Sequence, residues 1–177
     1  MQKIIITLLC IAMFGCSVNT VQLSSEYNHK FKRSNKAKQL SNIAECSFHL
    51  ADFKDGRESK SLGIVALTIV ENDVNKWALS ALEKYNIKEN NANTLPHVKV
   101  TLVKAYIHSL MSSMAANVVF KIEYKSSAKE QKTNYVRGHE VDVNWNSGES
   151  EILSTLNKAM GKAISKARDD LGKNYCT

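Results

Sequence analysis

From Met114 to Tyr124 the chain alternates strictly enough to fix its local shape. Met114, Ala116, Val118, Phe120, Ile122 and Tyr124 fall on one side, with Asn117, Lys121, Glu123 and Lys125 on the other. A period of two is that of a strand with one oily face. Such a strand needs neighbours to pair its backbone groups and a second layer to cover its apolar side. The flanking segments supply the neighbours. His97 to Leu110 contains Val98, Val100 and Leu102 in alternation, and Tyr135 to Trp145 sets Val141, Val143 and Trp145 opposite Glu140, Asp142 and Asn144. Short links between these segments favour antiparallel pairing. Farther upstream, Ala44, Cys46, Phe48 and Leu50 alternate as an earlier strand. LGIVALTIV (residues 62–70) is either a buried strand or a strand leading into a helix.

Two helical patterns supply the second layer. Val74, Trp77, Ala78, Ala81, Leu82 and Tyr85 fall at 3.6-residue spacing behind a cap at Asn72 or Asp73. Ile152, Leu153, Leu156, Met160, Ala163, Ile164, Ala167 and Leu171 form a longer stripe. Ser147 is the candidate N-cap of this helix, Glu149 and Glu151 suit its positive end, and Gly172 is its stop. The expected fold is α+β: a two-layer sandwich, an antiparallel sheet of about four to five strands with two helices packed on one face. It occupies residues 42–177 as a single domain.

Residues 1–15 belong to another argument. Lys3 gives a positive start, and IIITLLCIAMF is an apolar run of signal-peptide length, short of the ~20 residues a spanning helix needs. The run ends in Met13-Phe14-Gly15-Cys16, which resembles the lipobox of bacterial lipoprotein precursors. That resemblance implies removal of residues 1–15 and lipidation of Cys16. Two or three acyl chains, palmitate among them, would then hold the protein stably on a membrane. Ser17 in place of Asp implies the outer membrane of a Gram-negative cell, facing the periplasm. Residues 16–41 read as the lipidated cysteine and a flexible basic tether. The chain carries a formal +7, and Lys30, Lys32, Arg33, Lys36 and Lys38 face the single acid Glu26. The excess charge thus sits mostly beside the membrane, as attraction to anionic headgroups or as a solvated spacer. An exported protein rarely meets nucleic acid, so that partner is not expected.

Export also simplifies the cysteines. Cys10 leaves with the leader and Cys16 takes lipid, so Cys46 and Cys176 remain. A disulfide between them is permitted in that compartment, and two thiols too far apart to bridge are the alternative.

The whole pattern resembles the YajG-type family of small bacterial lipoproteins. The resemblance rests on the lipobox ending at Cys16, on Asp55, Arg57, Leu62 and Gly63 ahead of a helix, and on YVRGHEVDVNWNSGESEILSTLNKAMGKAI running from strand into terminal helix. It implies a location and a fold more than an activity. Similarity to auxiliary lipoproteins of lipid-transport systems is a related possibility.

No catalytic motif is found. Asp55 and Arg57 flank the Asp-Gly turn and offer either a ligand or partner loop or simple turn chemistry. His29, His49, His97, His108 and His139 show no metal-ligand spacing, and neither metal nor cofactor is expected. Glycoside cleavage needs two carboxylates across a cleft, and a cluster among Asp55, Arg57, Glu140 and Asp142 would favour it. Trp77 and Trp145 both lie on apolar stripes and read as core residues, with a sugar-stacking platform as the rival role. Residues 111–116 read as a hairpin bend. The leading function is a non-enzymatic binding or scaffolding module, anchored by its lipid and contacting an envelope protein or the cell wall. The alternatives are an accessory subunit of a lipid-transport system and an enzyme acting on cell-wall material.

Overall fold

The computed structural model describes residues 19–28, 46–65, 68–89, 96–125 and 130–175. The leader, Cys16, the run Lys30–Lys38 and Cys176 lie outside the described residues. The elements are β1 (Asn19–Gln22), β2 (Phe48–Asp55), β3 (Gly63–Val65), β4 (Thr68–Glu71), α1 (Val74–Lys84), β5 (Ile87–Lys88), β6 (His97–Leu110), β7 (Ser113–Lys125), β8 (Gln131–Val143) and α2 (Glu149–Tyr175).

The expected antiparallel sheet of four to five strands is not what forms. Among the described residues the sheet has eight strands and is mixed. The pairs β6–β7, β7–β8 and β3–β4 are antiparallel; β1–β4, β2–β5, β2–β6 and β3–β6 are parallel. The reason lies in the connections. Between β2 and β6 the chain runs through β3, β4, α1 and β5, ample for a crossover, whereas the links β6–β7 and β7–β8 permit only hairpins. Strand β6 is the spine. One of its edges is paired with β7 from Val98 to Leu110. Its other edge is shared by β2, opposite residues 97–102, and β3, opposite Ile107 and His108. Gly63 enters β3 at φ +116°, and a Cβ there would lie 2.1 Å from the Ile107 carbonyl oxygen, so only glycine joins the spine at this point.

The run at residues 62–70 is not one continuous strand but the two strands β3 and β4, paired antiparallel, and the second of them leads into helix α1. The start of the expected tether also belongs to the domain. Strand β1 pairs with β4, and Leu23 and Tyr27 are buried in the core. The Tyr27 carbonyl accepts from Lys84 Nζ, and burial pushes its phenol above the ordinary range.

Helix α2 packs on β6, β7 and β8, and α1 packs on β2 and β5 and against α2. Asp73 caps α1 through Lys76 N at 3.3 Å. Where the helices meet, Trp77 Nε1 donates to Asn157 Oδ1 at 2.7 Å, so the buried indole N–H and the buried amide satisfy each other. Helix α2 starts one residue later than Ser147 would place it. The Gly148 carbonyl accepts from Ile152, and the Glu151 carboxylate reaches back to Gly148 N at 3.3 Å. Gly172 lies inside the helix.

Strand β8 presents the opposite faces from those its apolar residues suggest. Val136 and Gly138 face α2, and so do Glu140 and Asp142. Asp142 is paired with Lys158 at 2.6 Å and accepts from Thr155 Oγ1 at 3.1 Å; Glu140 is paired with Lys162. Val141 and Val143 point away from the helices and are about half exposed.

Candidate functional site

Asp55 and Arg57 hold each other. Arg57 Nε and Nη2 donate to the two Asp55 carboxylate oxygens at 2.9 and 3.0 Å, its backbone N–H to Oδ1 at 3.2 Å, and Nη1 to the Lys60 carbonyl. The guanidinium side chain is almost fully covered. Turn chemistry is therefore the first job of the pair. The turn sits where β2 leaves the spine and β3 has not yet joined it, and β6 carries an irregularity in the same place, between Leu102 and Lys104. The notch is an open groove of about 740 Å³ lined by Arg57, Ser61, Ile64, Val103, Lys104 and Tyr106.

Burial alone would raise the Asp55 carboxyl, but the hydrogen bonds from Arg57 outweigh it and hold the group below the ordinary carboxylate range. A depressed carboxyl stabilises the fold above its unfolded value of 3.8 and loses that contribution as pH falls through the folded value. Asp55→Asn is expected to cost about 1 kcal/mol at pH 7, the scale of a partly exposed ion pair. The gap from wild type should close below pH 3.8. Thermal melts of both proteins across this range check it; a gap independent of pH contradicts the assignment.

The face of the sheet turned away from the helices carries a second constellation. Asn117, on β7 between β6 and β8, is buried, and its side-chain oxygen collects Arg137 Nε at 2.9 Å, Arg137 Nη2, and His139 Nδ1 at 3.1 Å. The ring nitrogen facing an acceptor carries the hydrogen, so the His139 tautomer is set by Asn117. Across the other edge of β7, Asn117 is opposite Tyr106, and Ala115 is opposite His108. Tyr106 and His108 stack with ring centroids 5.8 Å apart, and Lys104 Nζ lies over the Tyr106 ring at 5.6 Å. Tyr106 also lines the groove beside Arg57, which joins the two features. Sequence reasoning placed Asn117 on the polar side of β7 but gave it no role. The signal was an amide at the centre of a long, otherwise regular strand.

The remaining candidates scatter. Asp55 belongs to β2 and the Glu140–Asp142 pair to β8, with β6 and β7 between them, and each carboxylate is engaged by its own cation. They do not form the cluster that a glycosidase reading needs. His49 and His97 meet edge to face at 4.7 Å on neighbouring strands. Among the described residues, no three His, Cys, Asp or Glu side chains are grouped to hold a metal. The two tryptophans part company: Trp77 is buried, whereas Trp145 is 84% exposed and is no core residue. Among the described residues, no helix is long and apolar enough to cross a membrane.

No protein-family model and no curated protein matches the chain. Solved structures to which the chain is similar include a Xanthomonas campestris protein of the DUF330 family, at 9% identity and TM-score 0.46, covering 83% of this chain and 92% of that one. A minor lipoprotein from Acinetobacter baumannii follows at 6% identity and TM-score 0.41, covering 72% and 94%. A lipoprotein from Neisseria meningitidis stands at 12% identity and TM-score 0.27, covering 69% and 97%. The YajG-type resemblance accordingly rests on its short sequence motifs.

Proposed function

We propose that this protein is a lipid-anchored module of the Gram-negative envelope that binds an acidic partner, protein or cell-wall polymer, without catalysing a reaction. The observation that carries the reading is the uncovered sheet face around Asn117. A single buried amide oxygen orients Arg137 and His139 outward, and Lys104, Tyr106 and His108 lie beside them. Preset cations and aromatic rings on a rigid sheet suit recognition of carboxylates. The anchor is Cys16, by its lipobox, with the outer membrane as the expected location. A disulfide between Cys46 and Cys176 belongs to the same reading. Supporting it, the ring of Phe48, two residues after Cys46, packs on that of Tyr175, one residue before Cys176, at 6.3 Å. In addition, Arg168 Nη2 from α2 donates to the Cys46 carbonyl at 3.4 Å.

A photocrosslinking residue at Tyr135, exposed on the same face, tests the surface in intact cells. The expected result is a discrete crosslinked species that disappears with Arg137→Glu while the melting temperature stays close to that of the parent. Identical crosslinks from both proteins would refute the binding face. Lipid labelling tests the anchor separately: Cys16→Ala should abolish it.

A further inference from the structure

The uncovered face is graded along its length. Around Lys99, Lys121 and Glu123 it is charged, and around Asn117 it is polar and aromatic. At the end where β6 turns into β7 it becomes apolar: Leu110, Val141 and Val143 are about half exposed, Trp145 is 84% exposed, and Met111 is fully exposed. From Ser109 to Asn117 the chain carries no charge. Glu140 and Asp142, the acids on the neighbouring stretch of β8, turn inward to Lys162 and Lys158.

The turn itself is unusual. Met111 holds φ +35°, in the left-handed region where Gly, Asn or Asp is favoured and a long side chain is strained. Strain kept at a fully exposed apolar residue points to a use for that side chain outside the fold.

Strand register shows what lies beside this end. Ile64 is level with His108, Val65 pairs with Thr68, and Thr68 pairs with Asn19. The start of β1 is therefore level with the Ser109–Leu110 end of β6. Cys16 precedes Asn19 by three residues, a reach of at most about 11 Å. Three strand spacings separate β1 from β6, about 14 Å along the sheet. The chain therefore leaves the sheet toward Cys16 from the same end as the apolar tip, and the tether allows the lipid no more than about 11 Å from Asn19.

We propose that Leu110, Met111, Val143 and Trp145 form a second membrane contact. This tip enters the interface of the bilayer that holds the Cys16 lipid, and the sheet stands on the membrane with its Asn117 face directed sideways. The inference rests on the anchor reading. A tryptophan flanked by Asn144 and Asn146 and an unbranched methionine suit the headgroup boundary, where an amphipathic ring is favoured. Two attachment points would fix the orientation that one flexible lipid leaves free.

The test uses the full-length lipidated protein in phosphatidylethanolamine–phosphatidylglycerol vesicles whose acyl chains carry bromine near the headgroup. The chain has two tryptophans, and Trp77 is buried in the core. Bromine should quench the Trp145 part of the emission, and the quenching should vanish in Trp145→Phe. Met111→Asp suits the left-handed turn and should fold at least as stably as wild type, yet lose the quenching. Absence of quenching in wild-type protein whose Cys16 carries lipid would overturn the inference and leave the anchor standing. Crosslinks from position 111 to protein rather than lipid would overturn it in favour of a protein partner or a second copy. Absence of lipid on Cys16 would end the anchor reading and this one with it.

Discussion

Gly138→Ala is expected to lose about 4 kcal/mol or more of stability and to yield little folded protein, because its one added methyl group has nowhere to go. A Cβ at this position would lie 1.8 Å from the Ala159 carbonyl oxygen, 2.6 Å from Ala163 N and 2.9 Å from the Ala159 carbonyl carbon. All three atoms are backbone of α2. No rotamer change relieves the overlap; the helix must lift from the sheet. Lifting it opens the layer in which Leu156, Ala159, Met160, Ala163 and Ile164 are buried against the strands. Gly161→Ala gives a graded comparison. There the added carbon meets the hydroxyl ends of Tyr27 and Tyr85, at 2.5 and 2.9 Å, and side-chain tips can move at smaller cost. Urea unfolding followed by circular dichroism ranks the three proteins. Gly138→Ala within about 1 kcal/mol of wild type would mean that α2 does not rest on the β8 backbone.

The same glycine explains why half of β8 was misread. Reading valines as inward assigns Val141, Val143 and Trp145 to the core, a sound rule for a strand in mid-sheet. Among the described residues, strand β8 pairs only with β7, and the outer part of α2 above it presents Thr155, Lys158 and Lys162. Carboxylates under that rim gain lysine partners, so Glu140 and Asp142 fit inward and the valines need not. A glycine inside an alternating strand signals close approach of another backbone. Gly138 read in that way fixes the parity of every residue in β8. The elements with sustained periods were legible: β6, β7 and α1 match their patterns closely, and α2 runs on through Gly172. The parallel pairings were not, because local alternation constrains a strand's faces but says nothing about which edge it joins or in which direction. Strand β1 was missed for a related reason. In NTVQ only Val21 is apolar, and the strand is held by backbone pairing to β4 rather than by an oily face. Asp55 and Arg57 were found as a pair, whereas the Asn117 cluster was not, since its members come from three strands and meet only through register.

Reduction of the disulfide proposed between Cys46 and Cys176 should be the second large effect. Closing a loop from residue 46 to residue 176 removes about 4 to 5 kcal/mol of chain entropy from the unfolded state in the loop-closure model. That is a large share of the stability expected for a domain of this size. The bridge would join two segments that already meet, since Phe48 packs on Tyr175 and Tyr175 packs in turn on Tyr124 with centroids 5.8 Å apart. The helix end is also tied by polar contacts: Tyr124 donates to Asp170 at 2.7 Å, and Asn174 Nδ2 donates to the Tyr124 oxygen at 3.1 Å. These contacts keep the fold native-like after reduction, so the loss should appear in the unfolding equilibrium rather than in the native spectrum. Cys46→Ala with Cys176→Ala and reduced wild type should melt together, both well below the oxidised protein. Each single variant should leave one titratable thiol and match the double variant in stability. Equal melting temperatures for oxidised and reduced protein, or two free thiols in the oxidised sample, would exclude the bridge. In that case the ring contacts between Phe48, Tyr124 and Tyr175 alone would secure the end of α2.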